Sequence, residues 1–227
     1  MTGGKEIAGE WIARADQICS AVKRLAWSPE RMLFRDLPDT EIYSQHTQIM
    51  AVLSGAVTGE EARDLMERTL REPIHRVTLP FSYNLFQALK ETGLHHHIFK
   101  QWDRWRVFSK QGLTTLPETE VNPRSDCHAW SSVPLAEFPA YFLGVTPFEP
   151  GFSAISIEPR MGDLRWAKGV VPTVCGMVEV EWEKKGKAFR FRTQVPTGVP
   201  TTIKLPDGSV FHLQNGGRYE TTVSVEA

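Results

Sequence analysis

The chain has 227 residues, balanced charge (26 Lys and Arg against 27 Asp and Glu) and an apolar fraction of 41%. That apolar content is enough for a packed core and excludes a disordered chain. A net charge of −1 leaves no electrostatic footprint for nucleic acid and no polybasic membrane patch.

The length permits one large domain or two modest ones. Cys19, Cys127 and Cys175 are odd in number, far apart and in no CxxC pattern, which argues against a disulfide framework or a zinc knuckle. No apolar run reaches the ~18 residues of a spanning helix. The start, Met-Thr-Gly-Gly-Lys-Glu, lacks the basic-then-apolar layout of a signal peptide, so the default expectation is a cytoplasmic protein; a chain without its natural N-terminus would have lost such a signal.

In chain order, Ile7, Trp11, Ile18, Val22 and Leu25 fall on one helical face over 6–25. Residues 26–40, with Pro29, Asp36, Pro38 and Asp39, read as a loop. Ile42, His46, Ile49, Met50, Leu53 and Val57 form a second helical stripe over 41–57. Thr58 and Glu61 fit a capping box before a third helix at 59–71. A fourth spans 81–92 with Gly93 as its C-terminal stop, and a fifth spans 95–109 with Ile98, Trp102 and Trp105 in register. The stretch 128–143 reads as a sixth helix that Pro139 should kink or shorten. This makes about three antiparallel helical hairpins, followed by a linker at Gly144–Pro150.

The apolar period then changes from 3.6 to 2. Val178, Val180 and Trp182 alternate with glutamates, and Phe189 and Phe191 alternate with arginines, across a Lys-Lys-Gly-Lys turn. Asp207-Gly208 and Asn215-Gly216 mark further tight turns. Residues 152–225 therefore predict seven or so short antiparallel strands in a β-sandwich. The fold class expected is α+β, with a helical domain over 1–147 and a sandwich over 148–227.

The chemistry-bearing stretch is 112–130, which gathers Glu118, Glu120, Asp126, His128 and Trp130 between prolines. Carboxylates next to aromatic rings suit sugar chemistry: rings stack on a pyranose face and a carboxylate works at the anomeric carbon. Loop glutamates are more often simply solvated, and on its own His128 reads more readily as a buried, satisfied histidine behind a helix cap at Ser125 or Asp126 than as a sugar contact. His95-His96-His97 is poor metal geometry, because adjacent helical residues point about 100° apart. His46 is either a hydrogen-bonded core histidine or a pocket residue. Cys127 lies beside His128, but adjacency in sequence does not make a nucleophile–base pair. No P-loop, G-x-G-x-x-G or G-x-S-x-G occurs, and neither a cofactor nor a metal is expected.

Four segments carry a family resemblance: Ser-Gln-His-Thr at 44–47, Gly-Leu-Thr-Thr then Pro-Glu at 112–118, Arg-Ser-Asp-Cys-His-Ala-Trp-Ser at 124–131, and Gly-Val-Val-Pro-Thr…Gly-Met-Val-Glu-Val-Glu-Trp at 169–182. The run from Gly151 to Gly169 supports them. Over nearly its whole length the chain resembles the C-terminal half of bacterial α-L-rhamnosidases, glycoside hydrolase family 78. The resemblance implies half of an (α/α)6 six-hairpin barrel followed by a β-sandwich, and inverting hydrolysis of terminal α-L-rhamnosides. It implies Glu118 as the general base that activates water, with Glu120 the alternative if the register shifts by two. It implies His128 as a sugar contact, and Trp102, Trp105 and Trp130 as substrate-binding residues.

The family's general acid and its acidic sugar-gripping motif have no match here. An inverting glycosidase needs two carboxyl groups about 6.5–9.5 Å apart. Asp36, Asp39 and Glu41 are the candidates for an acid on other grounds. The expectation is thus a truncated, base-side portion of such an enzyme, with exposed apolar helix faces that dimerise or pair with a missing barrel half. The competing expectation is a non-catalytic carbohydrate-binding or structural module.

Overall fold

The computed structural model describes residues 4–225, so part of the N-terminal stretch on which the signal-peptide reading rests lies outside the described residues. The fold is α+β. The chain divides into two compact units, Met1–Val133 and Pro134–Ala227.

The first unit is helical. It opens with α1 (Lys5–Ala26). The spacing in the sequence does give a helix here, but Ile7, Trp11, Ile12, Ile18 and Leu25 are exposed rather than packed. A short hairpin follows, β1 (Trp27–Ser28) and β2 (Leu33–Phe34), inside the stretch expected to be loop. Its strands are too short to carry a period, yet Leu33 and Phe34 are fully buried.

Helix α2 (Gln45–Leu53) starts at Ser44, whose side chain accepts from the Thr47 amide. Its inner face differs from the expected stripe. Gln45, Gln48, Ile49 and Val52 are buried, while Ile42 and Met50 are exposed. The reason is polar. The Gln48 carboxamide accepts from the Phe34 amide and donates to the Phe34 carbonyl, both at 2.8 Å, and Gln45 accepts from the Val77 amide. A buried amide that satisfies backbone groups belongs inside, although its polarity hides it from a hydrophobic pattern.

Helix α3 (Gly59–Arg71) has Thr58 at its N-cap, but the capping box does not close: the Thr58 side chain makes no cap bond, and Glu61 pairs with Lys23 instead. Helix α4 (Ser82–Glu91) ends as expected at Gly93, whose φ of +69° lets the Leu94 amide reach back to the Leu89 carbonyl at 2.7 Å. The expected fifth helix is broken into a 3-10 turn (His95–His97), α5 (Ile98–Gln101) and α6 (Asp103–Lys110). At the break the Trp102 amide bonds to the Phe99 carbonyl, three residues back. The expected sixth helix is likewise divided, into a 3-10 turn (Ala129–Ser131), α7 (Val133–Glu137) and a π-turn (Phe138–Phe142), of which the residues from Pro134 onward belong to the second unit. Pro139 has no amide hydrogen to continue an α-helix, so the coil widens and Leu143 bonds five residues back to Phe138.

In the second unit two four-stranded sheets share one core. Strand β3 (Val145–Pro147) lies within the segment expected to be a linker, and pairs with β4 (Ile155–Ile157). Strands β5 (Trp166–Thr173), β6 (Gly176–Lys185), β7 (Ala188–Val195), β8 (Thr201–Lys204), β9 (Val210–Leu213) and β10 (Gly217–Ser224) follow. The sheets run β10-β7-β6-β5 and β3-β4-β8-β9; all pairs are antiparallel except β4 with β8, which is parallel. The expected hairpin is β6–β7, with Trp182 opposite Phe191 and Glu181 opposite Arg192. Trp182, Phe189 and Phe191 are buried and contribute about 1.5–3 kcal/mol each on the scale of large apolar side chains. The Trp182 indole N–H is satisfied by the Phe142 carbonyl at 2.7 Å. No helix among the described residues is long and apolar enough to cross a membrane.

Candidate active site

The loop 112–130 is irregular by strand criteria but is closed like a hairpin. The Glu118 amide donates to the Ser125 carbonyl at 2.9 Å, and the His128 amide to the Leu116 carbonyl at 2.7 Å. Thr115 Oγ1 donates to the Asp126 carbonyl. Asn122 takes the turn at its tip with φ +46°, a conformation asparagine tolerates. Folding the loop back on itself brings Glu118, Arg124 and His128 to one wall of a groove.

The entry to α4 contributes further lining residues: Thr78, Pro80, Phe81, Tyr83 and Asn84. Trp130 also lines the groove. The groove has a volume of about 700 Å³ and is lined mostly by apolar surface with a few polar groups, the usual composition of a small-molecule site. Trp130 is 78% exposed, its ring edge-on to the His128 imidazole at 6.0 Å. An exposed indole beside an imidazole and a carboxylate can stack on a sugar while the polar groups take its hydroxyls.

Glu118 is the one carboxylate among the lining residues. Arg124 donates to both of its oxygens and holds its carboxyl below the usual glutamate range, so it is ionised at neutral pH; the nearby His128 adds to the effect. His46 is half buried behind the groove with its ring 4.5 Å from Phe81, and burial pushes its imidazole below the usual value.

The other expected residues lie elsewhere. Trp102 and Trp105 are buried inside the helical unit and are absent from the groove lining. Trp105 acts from behind: its indole N–H donates to the Ser131 carbonyl at 2.7 Å. Glu120 is held by Arg104, which also bonds the Val77 carbonyl and Ser82, so it braces the loop. Asp36 accepts from the Ser44 amide, Ser44 Oγ and Thr47 Oγ1, and so anchors the start of α2. Glu41 is engaged by Arg35 and Tyr43. Neither of these two acids, nor Asp39, lines the groove. Cys127 is exposed and free. Sequence reasoning missed Tyr83, Phe81, Asn84 and Arg124; only Arg124 carried a signal, as the first residue of the Arg-Ser-Asp-Cys-His-Ala-Trp-Ser segment.

The second unit has an apolar groove of its own, about 860 Å³, between the π-turn and β5, lined by Phe138, Phe142, Leu164, Trp166 and Val170 among others.

Comparison with known proteins places this architecture. Residues 144–220 match the family described as the bacterial alpha-L-rhamnosidase C-terminal domain. The alpha-L-rhamnosidase of Alteromonas sp. (strain LOR) is 25% identical over 187 residues, covering 77% of this chain and 19% of that protein. The crystal structure of a GH78 family rhamnosidase of Bacillus sp. GL1 superposes with a TM-score of 0.81 at 27% identity, over 89% of this chain and 24% of that one. The alpha-L-rhamnosidase of Dictyoglumus thermophilum shares the fold, with a TM-score of 0.80 at 18% identity, over 98% of this chain and 29% of that one. Over most of its length the chain is similar to the C-terminal region of family 78 α-L-rhamnosidases. It spans between about a fifth and three-tenths of the length of these relatives.

Proposed function

We propose that these residues form the base side of an inverting α-L-rhamnosidase site. Glu118, ionised and facing the groove, takes the proton of a water that attacks the anomeric carbon. His128 bonds a rhamnose hydroxyl and Trp130 stacks on the ring. The observation that carries this reading is the convergence of Glu118, His128 and an exposed indole on one sugar-sized groove, in a chain similar to α-L-rhamnosidases. Trp102 and Trp105 contribute by supporting the loop rather than by touching the sugar.

Because Glu118 is the one carboxylate among the described residues that line the groove, the general acid comes from outside this wall. The helices then correspond to part of an (α/α)6 barrel, and the exposed apolar face of α1 is where a further helical segment, from a second copy or from another barrel half, packs.

The test uses a substrate that needs no general acid. A dinitrophenyl α-L-rhamnoside has a leaving group that departs as a stable phenolate and needs no proton. Water adds at the anomeric carbon, its proton goes to Glu118, and the phenolate leaves with the electron pair of the broken bond. The chain should hydrolyse this substrate, release the inverted sugar and lose about 10²–10⁴-fold in rate in Glu118→Gln. A methoxyphenyl rhamnoside, which needs the acid, should be left nearly intact. Equal rates for wild type and Glu118→Gln on the dinitrophenyl substrate would refute the assignment.

The second reading, a non-catalytic carbohydrate-binding module, is favoured by one observation: Trp166 is 66% exposed within the apolar groove of the second unit. In that case saccharide binding survives Glu118→Gln and is lost in Trp166→Ala.

A further inference from the structure

The Glu118 carboxylate is held before any ligand arrives. Arg124 Nε donates to Oε2 at 2.8 Å and Arg124 Nη2 donates to Oε1. This is the parallel two-bond fork that a planar guanidinium makes with a carboxylate and an ammonium cannot. The two residues are set against each other by the backbone, because the Glu118 amide is bonded to the carbonyl of Ser125, the neighbour of Arg124. The Glu118 side chain is 15% exposed, whereas that of Arg124 is 85% exposed. The guanidinium therefore lies over the carboxylate from the solvent side, and both residues line the groove.

We propose that Arg124 is the positioning residue of Glu118, its fork fixing the plane of the carboxylate against the groove. The proposal rests on the reading of Glu118 as the base. A carboxylate held by a single rotatable side chain samples many orientations. One held at both oxygens keeps a single plane, and each oxygen still has a lone pair for a water proton. The fork also favours the charged form needed to accept that proton. The ionisable residues lining the groove with Glu118 are Arg124, His128 and Tyr83; of these, Arg124 is the main cause of its depressed titration and His128 adds a smaller part. The positioning contact costs little to lose in folding terms, since Arg124 is almost fully exposed. Its removal should act on chemistry more than on stability.

The experiment uses the full chain with carbon-13-labelled glutamate, the Glu118 carboxyl resonance being identified by its absence in Glu118→Gln. In Arg124→Ala its titration midpoint should rise toward the ordinary glutamate value. In Arg124→Lys, which keeps the charge but not the fork, it should lie between. On the dinitrophenyl rhamnoside, Arg124→Ala should lower kcat by up to the order of 10²-fold with KM nearly unchanged, Arg124→Lys should restore only part of it, and thermal midpoints should stay within a few degrees. An unchanged Glu118 midpoint in Arg124→Ala overturns the proposal, as does full kcat in that variant. If wild type fails to turn over the dinitrophenyl substrate, the base assignment falls, and the titration alone then decides whether Arg124 holds Glu118.

Discussion

The indole N–H of Trp105 donates to the carbonyl of Ser131 at 2.7 Å, and both residues are buried. This bond ties α6 to the segment that carries His128 and Trp130. Aromatic character at position 105 suggested a sugar platform, yet the ring is buried and its N–H is spent on the backbone of a segment that lines the groove. Trp105→Phe keeps the packing and orphans the Ser131 carbonyl. It should destabilise the helical unit by about 1–3 kcal/mol and weaken saccharide binding without abolishing it. Urea unfolding monitored by far-UV circular dichroism checks the first part. No change in midpoint would mean that the bond is not formed.

Gln48 makes a stronger prediction. Gln48→Leu removes partners from both backbone groups of Phe34, which is fully buried. The loss should exceed about 2 kcal/mol, whereas Met50→Gln, at an exposed site on the same helix, should be within about 0.5 kcal/mol of wild type. A hydrophobic-stripe reading of α2 gives the opposite order.

In the second unit Gly216 is the critical turn residue. Its φ is +63°, and a Cβ placed there would meet the Pro196 carbonyl oxygen at 2.0 Å. Gly216→Ala should cost more than about 3 kcal/mol, visible as a large drop in the thermal midpoint. Gly208→Ala should cost less, because its φ is also positive but no atom lies near.

Stability should fall with pH in two stages. Burial holds His46 and His97 below their usual value of 6.5, so their folded form favours the neutral ring. The stability they contribute is complete above 6.5 and is lost as pH falls through their lower folded values. Glu118, Glu181 and Glu220 are depressed below 4.5 by hydrogen bonds from Arg124, Arg192 and Arg190. Their contribution is complete above 4.5 and declines below it. Urea midpoints between pH 7 and pH 3 check this; a midpoint that rises on acidification contradicts it.

The exposed face of α1 should mediate association. Light scattering should find the chain larger than a monomer, and Trp11→Glu with Ile18→Glu should reduce it to one. A wild-type monomer with no tendency to associate rules out a second copy as the occupant of this face.

What the sequence made legible was local. The β6–β7 hairpin followed from alternation at Val178–Trp182 and Phe189–Phe191, and the stops at Gly93 and Gly216 from glycine at positions that demand positive φ. Less local features stayed hidden. The β1–β2 hairpin has two-residue strands with no period, and the inner face of α2 is set by amides that a hydrophobic pattern counts as outward. At the candidate groove, Glu118, His128 and Trp130 were legible as neighbours because they share one loop. Tyr83 and Asn84 were not, because they reach the groove only through the tertiary fold.

On the proposed function, the groove at Glu118, His128 and Trp130 receives a rhamnose residue. Calorimetric titration with L-rhamnose tests it most directly, using wild type, His128→Ala, Trp130→Ala and Trp166→Ala. The expected result is binding in wild type and in Trp166→Ala, weaker binding in Trp130→Ala and none in His128→Ala. Binding unchanged in His128→Ala and Trp130→Ala but abolished in Trp166→Ala would contradict it and move the sugar site to the second unit.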